Sequence, residues 1–249
     1  MLFRIGGLSM TKSTHERSSH RAGITAGITA IAAIVVALTG CADDRDGWLL
    51  ASVPSTPSPL DAAVQVRVGG CSLIDHLGQG SMIGARLVLT SAHVVAGGTA
   101  IELTAADGTT ASGTVVHLDP DLDLALVETD RQIGRPLAVG RADRGDVGTV
   151  VVRRDERLRA MQVGVVRPVT IRTEDIYIDG LVERPGYELA ATIESGDSGG
   201  VVVVDGRAVA VVWSRSRQDP SRAWAIDPNA IIDAIGGNSR SVPADTHCA

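Results

Sequence analysis

Gly196-Asp197-Ser198-Gly199-Gly200 runs directly into Val201-Val202-Val203-Val204, then Asp205-Gly206, then Arg207-Ala208-Val209-Ala210-Val211-Val212-Trp213. Stiff β-branched side chains favour the extended chain, so the two apolar runs predict strands. Asp-Gly between two such runs is a hairpin signal, because a two-residue turn needs positive φ and glycine adopts it without strain. Working outward, similar short apolar runs lie at 64–68, 81–83, 87–90, 114–118, 124–127, 147–152, 161–166, 187–192 and 223–226, with a second hairpin signal at Asp107-Gly108. Many short strands at this spacing predict an all-β barrel or sandwich. One late stretch differs. Pro228 precedes Ala230, Ile231, Ile232, Ala234 and Ile235 at helical spacing, with Gly236-Gly237 after them, which predicts a short C-terminal helix.

Composition agrees with strands. Apolar residues make up 44% of the 249 and aromatics only 2%, so the core must be built from Val, Ala, Leu and Ile. The net charge of −6 argues against nucleic acid as a main partner. Arginines gather between 141 and 172, but Asp143, Asp146, Asp155 and Glu156 lie among them, and the segment reads as a solvated sheet face.

The first 40 residues read as a targeting segment. The chain is uncharged from 23 to 38, with Arg4, Lys12, Arg17 and Arg21 before it and Asp43, Asp44 and Asp46 after it. A positive flank, a short apolar run and an acidic exit form an export signature that places the remainder outside the cytoplasmic membrane. Leu38-Thr39-Gly40-Cys41 resembles the lipobox of bacterial lipoproteins, which implies a lipidated Cys41; the alternatives are an uncleaved anchor helix with the same orientation and a secreted protein. Residues 41–60 end in Val53-Pro54-Ser55-Thr56-Pro57-Ser58-Pro59 and read as a tether, with a folded domain over 61–249. Lipidation of Cys41 would leave Cys71 and Cys248 as a pair for one disulfide in an oxidising compartment; otherwise both are free thiols. Closing so long a loop would contribute on the order of 5 kcal/mol in the chain-entropy view.

Three segments carry candidate chemistry. The glycines around Ser198 would let the amides of Gly196 and Ser198 point at one spot, as an oxyanion hole requires, although such a segment alone is also an ordinary tight turn. Leu87-Val88-Leu89-Thr90-Ser91-Ala92-His93 sets a histidine where an apolar run ends, the place of a general base or of a packed structural histidine. In Asp119-Pro120-Asp121-Leu122-Asp123-Leu124-Ala125-Leu126 the carboxylate of Asp123 opens an apolar strand and needs a partner, while Asp119 and Asp121 read as turn residues. His76, His117 and His247 are scattered and match no metal-ligand spacing, so neither metal nor cofactor is expected.

Thr90-Ser91-Ala92-His93, Asp123-Leu124-Ala125-Leu126 and Gly196-Asp197-Ser198-Gly199-Gly200, in this order, resemble the active-site motifs of the trypsin-like serine proteases, most closely the compact bacterial exported or membrane-anchored type. The resemblance implies two six-stranded antiparallel β-barrels of the chymotrypsin kind, about 62–135 and 146–227, followed by the short helix. It also implies His93 as base, Asp123 as its partner, Ser198 as nucleophile, Gly196 and Ser198 as oxyanion donors, and protein or peptide substrates. The same resemblance implies that Thr192 lies at the base of the primary specificity pocket and that Trp213, Ser214 and Arg215 lie at its wall. With no carboxylate at 192, a preference for Lys or Arg is not expected. A narrow pocket for small or apolar side chains, or an acidic preference set by Arg215, remain as readings.

Some features depart from the family pattern. Arg67-Val68-Gly69-Gly70 looks like a zymogen cleavage site, but it lies too close to His93 and reads as strand and turn. No freed amino terminus is then available for Asp197, which must find another cation or a set of backbone donors. No accessory domain is expected after Ile235. Against the endopeptidase stands a catalytically inactive protease fold acting as a binding module, and more remotely a solute-binding lipoprotein.

Overall fold

The computed structural model describes residues 56–70 and 75–234, all of which belong to one compact unit of the chain. The targeting segment, Cys41, Cys71 and Cys248 lie outside the described residues.

Six strands close the first barrel. They are β1 (Ala63–Gly69), β2 (His76–Gly84), β3 (Leu87–Thr90), β4 (Ala100–Ala105), β5 (Thr110–Asp119) and β6 (Leu124–Thr129), in the order β1-β2-β3-β6-β5-β4. β1 also pairs with β4, which closes the ring. Period-two alternation buries Val64, Val66 and Val68 while Arg67 faces out. Arg67 to Gly69 therefore belong to a strand, and Gly70 turns with φ +123°. β4 lies outside the runs that the sequence marks as strands, although Ile101, Leu103 and Ala105 alternate with exposed or half-buried neighbours as a barrel strand should.

The second sheet contains β7 (Ala138–Val139), β8 (Val147–Arg154), β9 (Arg157–Glu174), β10 (Leu181–Ala190), β11 (Val201–Val204), β12 (Arg207–Arg215) and β13 (Arg222–Ile226). Its order is β11-β8-β9-β10-β13-β12-β7. An additional β11–β12 pairing joins six of these strands into a ring, and β7 is a short seventh strand lying parallel to β12. The predicted hairpin turn is present, with φ +48° at Asp205 and +72° at Gly206. β9 runs 18 residues, far beyond the expected 161–166, because its second half is polar yet still pairs with β10.

The valine run at 201–204 has a structural cause. Val202 and Val204 pack with Val150, Val163 and Leu189 in the second barrel's core. Val201 and Val203 pack in the cluster that holds Val64, Leu89 and Leu126 of the first. A strand buried on both faces loses its alternation and reads as continuous apolar sequence. β11 is thus the wall between the barrels, and the serine turn precedes it. Two one-turn helices, α1 (Pro59–Ala62) and α2 (Ala92–Val95), precede β1 and follow β3. The C-terminal helix α3 spans Asn229–Ala234.

Candidate active site

His93 sits in α2, at the end of β3. Its Nδ1 lies 2.8 Å from Oδ2 of Asp123, and its backbone N–H donates to Oδ1 at 2.8 Å. A carboxylate only accepts, so Nδ1 is the donor in this contact, and in the neutral imidazole the lone pair is then on Nε2. Asp123 is buried, and its backbone carbonyl accepts from Ala92 at 3.2 Å. The turn that delivers it is tight. Asp119 Oδ1 accepts the Leu122 amide at 2.8 Å, and Asp123 takes φ +57°, a left-handed conformation that aspartate tolerates better than most residues.

The serine turn comes from the second barrel and is fastened to the first. The Gln79 amide donates to the Ser198 carbonyl at 2.8 Å, and the buried Gln79 side chain donates from Nε2 to the Gly196 carbonyl at 3.3 Å. One acceptor ties the histidine and serine segments together: the Val212 carbonyl receives the Gly199 amide at 2.9 Å and the Ser91 hydroxyl at 3.3 Å. Gly199 has φ +83°, and a Cβ there would meet the Gln79 carbonyl oxygen at 2.1 Å and Thr90 Oγ1 at 2.4 Å. Only glycine allows this approach. Gly196 has φ +90°.

Asp197 points away from solvent into a pocket of its own, with its side chain 1% exposed. Arg154 Nη1 and Nη2 donate to its two oxygens at 2.8 and 2.9 Å, and the Glu194 amide donates to Oδ2 at 2.8 Å. The hydrogen bond to Asp197 raises the Arg154 pKa above its ordinary value against the opposing effect of burial. This corrects the sequence reading in one respect: Arg154, at the end of β8, is a largely buried clamp and not part of a solvated face. No local pattern in the sequence singles it out from its neighbours.

Beside the histidine lies a cleft of about 350 Å³ bordered by His93, Arg184, Trp213, Ser214, Ile176 and Ile178. Of the four expected pocket residues, Trp213 and Ser214 border it, whereas Thr192 and Arg215 are exposed outside it. A larger concavity of about 640 Å³ on the first barrel is lined by Arg67, Glu102, Asp130 and Arg131 and by none of the three candidate catalytic side chains.

Sequence reasoning missed Arg184. On β10, it is buried, with its guanidinium 5.2 Å from the centre of the Trp213 ring and Nη1 3.8 Å from Asp123 Oδ2. Its Nε donates to the Asp121 carbonyl at 2.6 Å, and Nη2 donates to those of Pro120 and Glu174 at 3.3 and 3.2 Å. Burial lowers its pKa below the usual arginine value, and the carboxylates of Asp123, Asp175, Asp121 and Asp119 work in the opposite direction.

A double barrel with a histidine–aspartate pair and a glycine-flanked serine turn between its halves is the architecture of the chymotrypsin-like serine proteases. Residues 78–211 match the model of the trypsin-like peptidase domain, and the chain belongs to that family. The serine protease Rv3671c of Mycobacterium tuberculosis is 27% identical over 175 residues, covering 68% of this chain and 44% of the relative. The chain thus spans less than half the length of the curated relatives it matches. Among solved structures, the active form of the Rv3671c protease superposes with a TM-score of 0.70 at 25% identity, covering 76% of this chain and 86% of that one. Its inactive form gives 0.62 at 24% identity, covering 73% of this chain and 90% of that one. An HtrA-type protease, AlgW with a tripeptide, gives 0.60 at 21% identity over 72% of this chain and 60% of that one, a likeness of fold alone.

Proposed function

We propose that this chain is a serine endopeptidase in which Ser198, His93 and Asp123 act as one unit. The observation that carries the reading is the 2.8 Å contact of His93 Nδ1 with buried Asp123, on a segment tied to the serine turn through the Val212 carbonyl. Nε2 of His93 takes the Ser198 proton as the hydroxyl oxygen attacks the scissile carbonyl, and Asp123 stabilises the imidazolium that forms. The amides of Gly196 and Ser198 stabilise the oxyanion of the tetrahedral intermediate. His93 then protonates the leaving amine, and water deprotonated by the same imidazole hydrolyses the acyl-enzyme. The Arg154 clamp on Asp197 supports a site that needs no freed amino terminus.

A fluorophosphonate probe tests the reading. Wild type should label and Ser198→Ala should not, and loss of Ser198 or His93 should lower turnover by about a millionfold. A folded wild type that never labels would instead favour a binding module on a protease fold. Substrates are proteins or peptides, with Trp213 and Ser214 bordering the cleft and Thr192 and Arg215 as further specificity positions.

The proposed location is the outer face of a bacterial cytoplasmic membrane, through lipidated Cys41 or an uncleaved anchor helix. It rests on the charge asymmetry around 23–38 and on Leu38-Thr39-Gly40-Cys41. Cys41→Ser should prevent lipid labelling at that position; retention of the variant in the membrane fraction would identify the uncleaved helix.

A further inference from the structure

A buried guanidinium is expensive to desolvate, and a methionine or leucine would fill similar space without that cost. Arg184 is buried to 1% exposure nonetheless. The destinations of its donors explain why. Two of its three carbonyl acceptors, Pro120 and Asp121, belong to the turn between β5 and β6 that ends in Asp123, and the third, Glu174, closes β9. The Ile176 amide reaches the same Pro120 carbonyl at 3.3 Å. The turn on the first barrel is therefore held from the second barrel, immediately before the residue whose positive φ aims a carboxylate at His93.

The charge matters as well as the fork. Both Asp123 oxygens already accept from His93, Oδ1 from the backbone and Oδ2 from the ring. Arg184 Nη1 stands 3.8 Å from Oδ2, the oxygen that faces the ring proton. A cation there stabilises the carboxylate and opposes the gain of a second proton by the imidazole. The groups around this guanidinium are Asp119, Asp121 and Asp123 of the turn, Asp175 beyond β9, Trp213 of β12 and, across Asp123, His93 of α2.

We propose that Arg184 is a positioning residue for the His93–Asp123 pair, pinning the turn that carries Asp123 and restraining protonation of the imidazole by its charge. The inference rests on the assignment of that pair as base and partner. It is tested in the full chain with Arg184→Lys, which keeps a charge and loses the planar fork, and Arg184→Gln, which loses the charge. Two readouts are needed. The first is the rate of fluorophosphonate labelling of Ser198 across pH, taken below each variant's unfolding temperature. The second is the NMR titration of His93 in a Ser198→Ala background, which reports the imidazole whether or not the protein cleaves anything.

In Arg184→Lys, labelling should fall about tenfold, as expected when a hydrogen-bonded turn is displaced by a fraction of an ångström, with the acid limb in place. In Arg184→Gln the acid limb and the NMR midpoint should both move to higher pH, by about half a pH unit or more. Wild-type labelling by a folded Arg184→Lys overturns the proposal, and so does an unmoved midpoint in Arg184→Gln. If the glutamine variant fails to fold, the lysine variant decides alone. Failure of wild type to label while the midpoint still moves would strike the endopeptidase reading and leave the influence of Arg184 on the imidazole standing.

Discussion

Two buried carboxylates, Asp123 and Asp197, each face an arginine, and the two pairings differ in kind. At Asp197 the guanidinium of Arg154 meets both oxygens at 2.8 and 2.9 Å, and the arginine side chain keeps 24% of its exposure. At Asp123 the oxygens go to His93, and Arg184 stands back at 3.8 Å with only 2% of its side chain exposed. The first arrangement satisfies a carboxylate completely and fixes a loop. The second leaves the carboxylate shared between an imidazole and a distant cation, so that it can respond when the imidazole changes charge. A short bidentate pair suits a structural strut, and a longer pair suits a residue whose partner titrates.

The comparison is broken most severely at Asp123. Asp123→Asn keeps the shape of the turn and presents an amide where a carboxylate should hold the Nδ1 proton. Turnover is expected to fall by about ten-thousandfold, the scale of such a change in a protease triad, with little change in melting temperature. Steady-state kinetics beside a thermal melt would check both halves. Arg154→Leu should show the reverse balance. It leaves Asp197 buried with only the Glu194 amide, at a cost of about 3–5 kcal/mol in stability, and the serine turn loosens with it. Urea unfolding reads the cost. The pH dependence has a definite sign. Because the Arg154 pKa is raised in the folded state, its contribution is complete below the ordinary arginine value and is lost as pH rises from there through the raised one. Stability that depends on Arg154 should therefore stay level from neutral pH to about pH 11. In Arg154→Lys it should decline above about pH 10.

The asymmetry between the two pockets also explains what was legible in the sequence. His93, Asp123 and Ser198 stand inside local patterns, at a strand end, a strand start and a glycine-rich turn, and each pattern survives without coordinates. The barrels were legible for the same reason, since runs such as 64–68 and 201–204 carry their own period or its absence. Arg154 and Arg184 carry no local signature. Their partners are 43 and 61 residues away, and an arginine on a polar strand reads as solvent-facing until the fold buries it. β4 is a different omission. Ala100-Ile101-Glu102-Leu103-Thr104-Ala105 does alternate, but acidic and small residues on its outer face dilute the β-propensity that marked the valine strands.

The turns behind the two arginines sharpen the comparison on a smaller scale, because both hold side-chain-bearing residues at positive φ. Beyond β9, Asp175 accepts from the amides of Tyr177, Asp179 and Gly180 at 2.7, 3.3 and 2.8 Å and places Ile178 at φ +65° with 71% exposure. A β-branched residue in the left-handed region is strained, and burial does not recover the cost here. Ile178→Asn, which adopts that backbone more readily, should raise stability by about 1 kcal/mol in urea unfolding. If Ile178 also touches substrate from the cleft wall, the same variant should lower kcat/KM for peptides with apolar side chains near the scissile bond. A stability gain with unchanged kcat/KM would confine Ile178 to the turn.

Next to Arg154 the β8–β9 hairpin turns on Asp155 and Glu156, at φ +49° and +63°. A two-residue turn with both angles positive prefers Asn or Asp first and Gly second. Asp155 suits its place, and Glu156 does not. The Glu156 side chain is 89% exposed, and its ion pair to Arg153, at 3.4 Å, is of the surface kind that contributes little. Glu156→Gly should therefore relieve more strain than it removes contact, and stability should rise by about 0.5–1 kcal/mol despite the added freedom of the unfolded chain. Because Arg154 enters this turn already committed to Asp197, fluorophosphonate labelling should not change. A fall in labelling with a rise in melting temperature would show that the hairpin's strain, and not the Arg154–Asp197 pair alone, sets the conformation of the serine turn.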